Sequence, residues 1–261
     1  MLSTQMIKIR VFRAVDEPET CRRWIEGHVK LLTAFGITSI TSARQKWVDN
    51  PATYVIIAES PDGDKVYGGA RVQVATDEDP LPLEEAAGRF DKRVYEVVKD
   101  YAFRGTGELC GLWNSREVAG MGIGSSFLGR VGVAIAPQLR LHSLFALCAP
   151  YTVDSCIKAG FEVETTIGNN GTFYYPKDNL VATTVVMRDV YSLGPAIPLE
   201  RDYVLRLRET PRQTLREKGR RGEYEIEFNL TIPSLHYNDP EVILKAQSKA
   251  MRAKMFTSEF K

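Results

Sequence analysis

The stretch that decides the fold is ELCGLWNSREVAGMGIGSSFLGRVGVAIA, Glu108 to Ala136. It sets three glycines, Gly120, Gly122 and Gly124, within five residues, between a mostly apolar run and an alanine- and valine-bearing segment. The run from Glu108 to about Asn114 predicts a strand, and the segment after the glycines predicts a helix that Pro137 punctuates. A strand entering a helix through Gly-x-Gly-x-Gly leaves backbone N–H groups unpaired at the positive end of the helix dipole. Glycine permits positive φ and lets a bulky anion approach the backbone. Phosphate or pyrophosphate is the guest that such a corner suits. The competing use of the same glycines is close packing of helix on strand with no ligand.

Outward from that corner the chain alternates strands and helices. IKIRVFRAV predicts a strand with Ile7, Ile9 and Val11 inward and Lys8, Arg10 and Phe12 outward. DEPETCRRWIEGHVKLLTAFG predicts a helix carrying Trp24, Ile25, His28, Leu31, Leu32 and Phe35, with Gly36 as its stop. ATYVIIAESPDGDKVYGGARVQVA reads as two strands around a Pro61-Asp62-Gly63-Asp64 turn. LPLEEAAGRFDKRVYEVVKDYA predicts one helix with Leu83, Ala86, Ala87, Phe90, Val94, Val97, Val98 and Tyr101 on one face. After the corner come a strand in RLHSLFALCAP, a short helix in YTVDSCIKAGF, and a turn and strand in FYYPKDNLVATTVVMRDV. The order implies an α/β fold with a mixed sheet rather than a pure Rossmann alternation. Prolines and charges in YSLGPAIPLERD mark a boundary near residue 191. Beyond it lies a charge-dense segment, read as solvated, and a helix from roughly Pro240 to Phe256.

Composition narrows the functional classes. With 261 residues the chain can hold one large domain or a domain with an appendage. A formal net charge of +1 favours neither nucleic acid nor an anionic membrane, and no apolar run reaches the ~18 residues of a membrane span. Cys21, Cys110, Cys148 and Cys156 form no C-x-x-C pair and have no histidines nearby, which argues against zinc and against a disulfide framework. A cytoplasmic protein without a metal is the expectation, and MLSTQMIKIRVFRA, which has no uninterrupted apolar h-region with a cleavage site, leads to no expectation of secretion.

Two phosphate-binding motifs fail on single residues. The P-loop requires Gly-Lys-Ser/Thr, whereas Gly124 is followed by Ser125-Ser126. The dinucleotide fingerprint G-x-G-x-x-G would put Ser125 or Phe127 at its last glycine. AGMGIGSSFL instead resembles the acyl-CoA-binding signature Q/R-x-x-G-x-G/A of the GNAT N-acetyltransferase superfamily, with Gly122-Ile123-Gly124 at the paired glycines and Ala119 at the Gln/Arg position. DSCIKAGFEVE is similar to the family's second signature, a short helix ending in Gly-Phe, here Gly160-Phe161. The resemblance covers about residues 5–190 in element order. It implies a mixed, mostly antiparallel twisted sheet flanked by helices, the acyl-CoA N-acyltransferase fold, in residues 1–190, with 191–261 as a C-terminal extension.

The resemblance also implies roles. The pyrophosphate of acetyl-CoA or another acyl-CoA would lie on Ala119, Gly120, Met121, Gly122, Ile123, Gly124 and Ser125, and the pantetheine arm would pair with the backbone of Leu112, Trp113 and Asn114. Acyl transfer needs a neutral amine, so a carboxylate must take its proton. Glu108, fourteen residues before Gly122, has the spacing of a catalytic glutamate in the family; a solvent-facing strand-end glutamate is the plainer alternative. The family's thiolate-protonating tyrosine falls at Cys156. Tyr151 is therefore the candidate acid, unless CoA leaves as thiolate, while Cys156 is either an acyl acceptor or a buried inert thiol.

A second resemblance, to N-acyl-amino-acid and acyl-homoserine-lactone synthases, rests on GGARVQVATDEDPLPLEEA and GELCGLW. It implies Arg71 as a binder of an acceptor carboxylate or a carrier phosphate, against a surface strand arginine. The Ser-Arg that follows Glu-Leu in the lactone synthases is replaced by Cys110-Gly111, so no lactone product is assigned. The leading expectation is an N-acyltransferase acting on a small-molecule or peptide amine. The alternatives are a long-chain N-acyl amino acid synthase fed by an acyl carrier protein, and a catalytically silent acyl-CoA sensor or structural protein. Residues 191–261 would cover the acceptor cleft, build a homodimer face or pack as an inert extension.

Overall fold

The structure is a computed structural model and describes residues 5–37, 45–118, 125–219, 222–233 and 235. Contacts divide the chain into two compact units. The first is drawn from 1–72, 111–135 and 198–234, and the second includes 73–110 and 136–197.

In the first unit β1 (Gln5–Arg13) pairs antiparallel with β2 (Thr53–Glu59) and parallel with β10 (Gly222–Asn229), and β10 pairs antiparallel with β9 (Arg212–Gly219). β3 (Val66–Val74) and β4 (Thr106–Asn114) contribute residues to both units, and the strand order in this one is β4-β3-β2-β1-β10-β9. The alternation of β1 holds for Ile7, Ile9 and Val11. Phe12, expected outward, is only 2% exposed, because its face is covered by Trp24 and Trp47, with Val55 directly across on β2. Trp24 belongs to α1 (Pro18–Ala34), which opens with proline in its first turn and buries Cys21, Trp24, Ile25 and His28 at helical spacing. Its stop is local: Gly36 donates to the Thr33 carbonyl and Ile37 to that of Leu32. Phe35 lies beyond the last turn and is exposed, not part of the buried stripe.

The Pro61–Asp64 turn joins β2 to β3 as expected, with Ser60 N–H donating to the Lys65 carbonyl and the Asp62 carboxylate accepting from Asp64 N–H. Also in this unit, α4 (Ser125–Ile135) is held by α6 (Pro198–Glu209). Arg130 donates twice to Glu200, at 2.7 and 2.6 Å, over the Tyr203 ring, and Arg208 donates to the Val133 carbonyl at 2.9 Å. The β9–β10 pair was not expected in the charge-dense segment. Tyr224, Ile226 and Phe228 turn inward and the glutamates between them do not.

In the second unit β5 (Ser143–Cys148) runs parallel to β4 and antiparallel to β8 (Val181–Met187), and β8 carries β6 (Glu162–Val163) and β7 (Thr172–Tyr174). The single helix expected across residues 81–102 is two: α2 (Pro82–Ala87) and α3 (Arg93–Ala102). Between them Asp91 accepts from Arg93 N–H, starting the second helix, and from Gly168 N–H. Phe90 therefore leaves the shared face and is 54% exposed. Leu83, Ala87, Val94 and Val98 do share a core with Phe145, Ile167, Phe173 and Val186. The short helix α5 (Pro150–Lys158) follows β5. The helix expected at 240–256 lies outside the described residues.

Candidate functional site

Glu108 is central to the second unit. Alternation along β4 would let a strand-end glutamate face water, but Glu108 is 2% exposed. Its Oε2 accepts from the main-chain N–H of Leu83 at 2.6 Å, in the first turn of α2, where Glu84 caps the Leu81 N–H at 2.8 Å. A side chain one strand away thus satisfies a donor that helix geometry leaves open.

Glu108 also marks the end of a ladder. β4 and β5 pair at Thr106–Ser143, Gly107–Leu144 and Glu108–Phe145, and the register stops there. β5 continues to Cys148, paired on its other side with β8.

At the end of β5 stands Cys148, 7% exposed, with its Sγ 3.4 Å from that of Cys156 on α5. The Cys148 thiol is pushed well up by its hydrogen bond to Cys156, by burial, and by the negative charge on that neighbour and on Glu108. Cys156 is shifted down, because the Cys148 S–H stabilises its thiolate, an effect partly opposed by burial. Glu108, Cys148 and Cys156 are therefore brought together. Tyr151, at the second position of α5, is 86% exposed and joins no described contact with them. Sequence reasoning missed Cys148; its signal was a cysteine closing a strand eight residues before another on the following helix.

In the first unit Arg71 is 1% exposed, which removes the surface-arginine alternative. Its guanidinium carbon lies 4.9 Å from the centre of the Trp47 ring. Trp24 packs edge-on against Trp47, Trp113 and His28, and His28 stacks on Trp113. Burial, and then the Arg71 charge, lower the His28 pKa to about 4, so the ring is neutral at pH 7. Trp113, expected to offer its backbone, also buries its indole here at 2% exposure, while Leu112 and Asn114 are half-buried. β4 bends at Gly111, whose φ is +62° and whose Cα approaches Trp24 so closely that a Cβ would lie 2.8 Å from the indole. Ala119, Gly120, Met121, Gly122, Ile123 and Gly124 lie outside the described residues, and the described chain resumes at Ser125, the first residue of α4.

No protein-family model and no curated protein matches the sequence. Solved structures do. FeeM, an N-acyl amino acid synthase from uncultured soil microbes, superposes with a TM-score of 0.57 at 15% identity, over 76% of this chain and 99% of its own. The CoA-dependent acyl-homoserine lactone synthase BjaI, solved with SAM and isopentyl-CoA, gives 0.53 at 14% identity, over 93% of this chain and 99% of its own. The chain has the acyl-CoA N-acyltransferase fold. Within that N-acyltransferase fold the described residues include no group of His, Cys, Asp and Glu arranged to hold a metal ion, and no described helix is long and apolar enough to cross a membrane.

Proposed function

We propose that the protein is an N-acyltransferase that moves an acyl group from a thioester to an amine. The observation that carries this reading is Glu108, a buried carboxylate anchored at the point where the β4–β5 ladder ends. In the proposed reaction it takes the proton from the attacking amine, directly or through a water. The amine nitrogen attacks the thioester carbonyl, and collapse of the tetrahedral intermediate expels the CoA thiolate. Leu112, Trp113 and Asn114 would hold the pantetheine arm, and Ala119 to Ser125 the pyrophosphate. Tyr151 is the candidate proton donor to the leaving thiolate.

FeeM makes N-acyl amino acids, and the burial of Arg71 favours the same class of acceptor here. A fully buried guanidinium on an indole suits a carboxylate better than a bare alkylamine does. The second reading is therefore a long-chain N-acyl amino acid synthase with acyl-CoA or an acyl carrier protein as donor. In both readings residues 1–190 are the acyltransferase portion and 191–261 an addition, with a homodimer face among its proposed uses. A cytoplasmic setting, where thiols stay reduced, belongs to the same proposal.

A thermal-shift panel with acetyl-CoA, a long-chain acyl-CoA and free CoA tests the coenzyme site. Each should raise the melting temperature by mass action, and a larger shift with the long chain would select the second reading. No shift at millimolar ligand would overturn the coenzyme site and leave only the carrier-protein form of the second reading.

A further inference from the structure

Cys148 and Cys156 differ in a way that matters chemically. Cys148 ends β5 and is buried, so a reagent in solution does not reach it first. Cys156, on α5, is half-buried, and no residue of α5 is fully buried. The two sulfur atoms stand 3.4 Å apart, and a disulfide needs about 2.05 Å with β-carbons about 3.8 Å apart. The remaining approach is on the order of 1.4 Å, which a helix with no fully buried side chain can supply.

We propose that Cys156 and Cys148 form a dithiol modification site that reacts with small-molecule disulfides to give an intramolecular disulfide. The Cys156 thiolate attacks one sulfur of RSSR, forming Cys156–S–SR and expelling RS⁻, which takes up the proton Cys156 gave up. Cys148 then loses its proton and attacks the Cys156 sulfur, expelling the second RS⁻, which is protonated in turn. Two protein thiols and one RSSR become one protein disulfide and two RSH, so the small disulfide is the oxidant and no other redox partner is needed. Cys156 is the attacking thiol because it is the more exposed and its thiolate is stabilised by the Cys148 S–H. Cys148 is the resolving thiol because burial shields it from the reagent.

The site is tested on the full, pre-reduced chain with glutathione disulfide, followed by blocking of remaining thiols with N-ethylmaleimide. Both cysteines fall in one tryptic peptide, Leu141 to Lys158. In the wild type that peptide should be lighter by two hydrogens and carry no blocking group, and the four thiols per denatured chain should fall to two. Cys148→Ser should hold glutathione at Cys156 with no resolution, and Cys156→Ser should leave Cys148 free of glutathione. Phenylarsine oxide, which bridges neighbouring thiols, should add once to the wild type and to neither variant. A wild-type peptide blocked at both cysteines, or a stable glutathione adduct on wild-type Cys156, would overturn the proposal even if a variant failed to fold.

Discussion

The main-chain N–H of Leu83 points at Oε2 of Glu108 across 2.6 Å, tying the start of α2 to the last residue of β4 that pairs with β5. Two substitutions separate the chemistry of Glu108 from this tie. Glu108→Gln keeps an acceptor for Leu83 and should preserve both the melting temperature and CoA binding. It removes the proposed base, and CoA release with an amine acceptor should fall about 10²–10⁴-fold. Glu108→Ala additionally leaves the Leu83 N–H without its acceptor and should cost about 1–3 kcal/mol in denaturant unfolding. Unchanged turnover in the glutamine variant would leave Glu108 only its structural part.

Stability should depend on pH through His28. Its folded pKa, about 4, lies below the ordinary histidine value of about 6.5, so between these values the unfolded chain binds the proton and the folded chain does not. The contribution is complete above pH 6.5 and is lost as pH falls toward 4, by roughly 3 kcal/mol in total. Urea midpoints measured from pH 7 to pH 4 should show that fall in the wild type and a flatter curve in His28→Gln.

Two helix glycines should respond oppositely to alanine. At Gly129 in α4 a Cβ would meet nothing within 4 Å, so Gly129→Ala should stabilise by about 0.5–1 kcal/mol. At Gly27 in α1 the same Cβ would lie 2.0 Å from the Trp113 ring, so Gly27→Ala should destabilise despite the better helix propensity. Melting temperatures of the two variants, read side by side, check the contrast.

The Arg130–Glu200 pair is nearly buried, with side-chain exposures of 13% and 14%. Glu200→Ala strands the guanidinium and should cost about 2–3 kcal/mol, below the ~3–5 of a fully buried pair. Arg130→Met with Glu200→Leu should recover most of that loss, because it removes both charges. Equal losses in the single and double variants would mean that packing, not charge, is what the pair supplies.

Much of the fold was legible because its signals are local. The Gly36 stop, the Pro61–Asp64 turn and the β5–α5 unit ending at Gly160-Phe161 each depend on a few adjacent residues. What escaped depends on distant ones. Phe12 looks outward by alternation, and only the indoles packed over it make that face a second interior. Residues 81–102 share an apolar period, but Asp91 is engaged by Gly168, 77 residues on, and two helices form. GEYEIEFN carries a clean two-residue period, obscured by the charged run before it. Glu108 could be chosen by its spacing, but neither its burial nor Leu83 could be read there. Arg71 was likewise legible as a residue and not as a buried one.

The parallel pairing of β1 with β10 sets Ile7 opposite Ile226. During synthesis one flank of β1 must wait for a strand made more than two hundred residues later. An apolar strand with an open flank is a template for other chains. The strand that finally lies outermost is β9, RQTLREKG, with Arg212, Arg216, Glu217 and Lys218 along it. The chain thus closes its sheet by exchanging a flank that invites further strands for a charged one that refuses them, and a product ending before β10 would keep the inviting one.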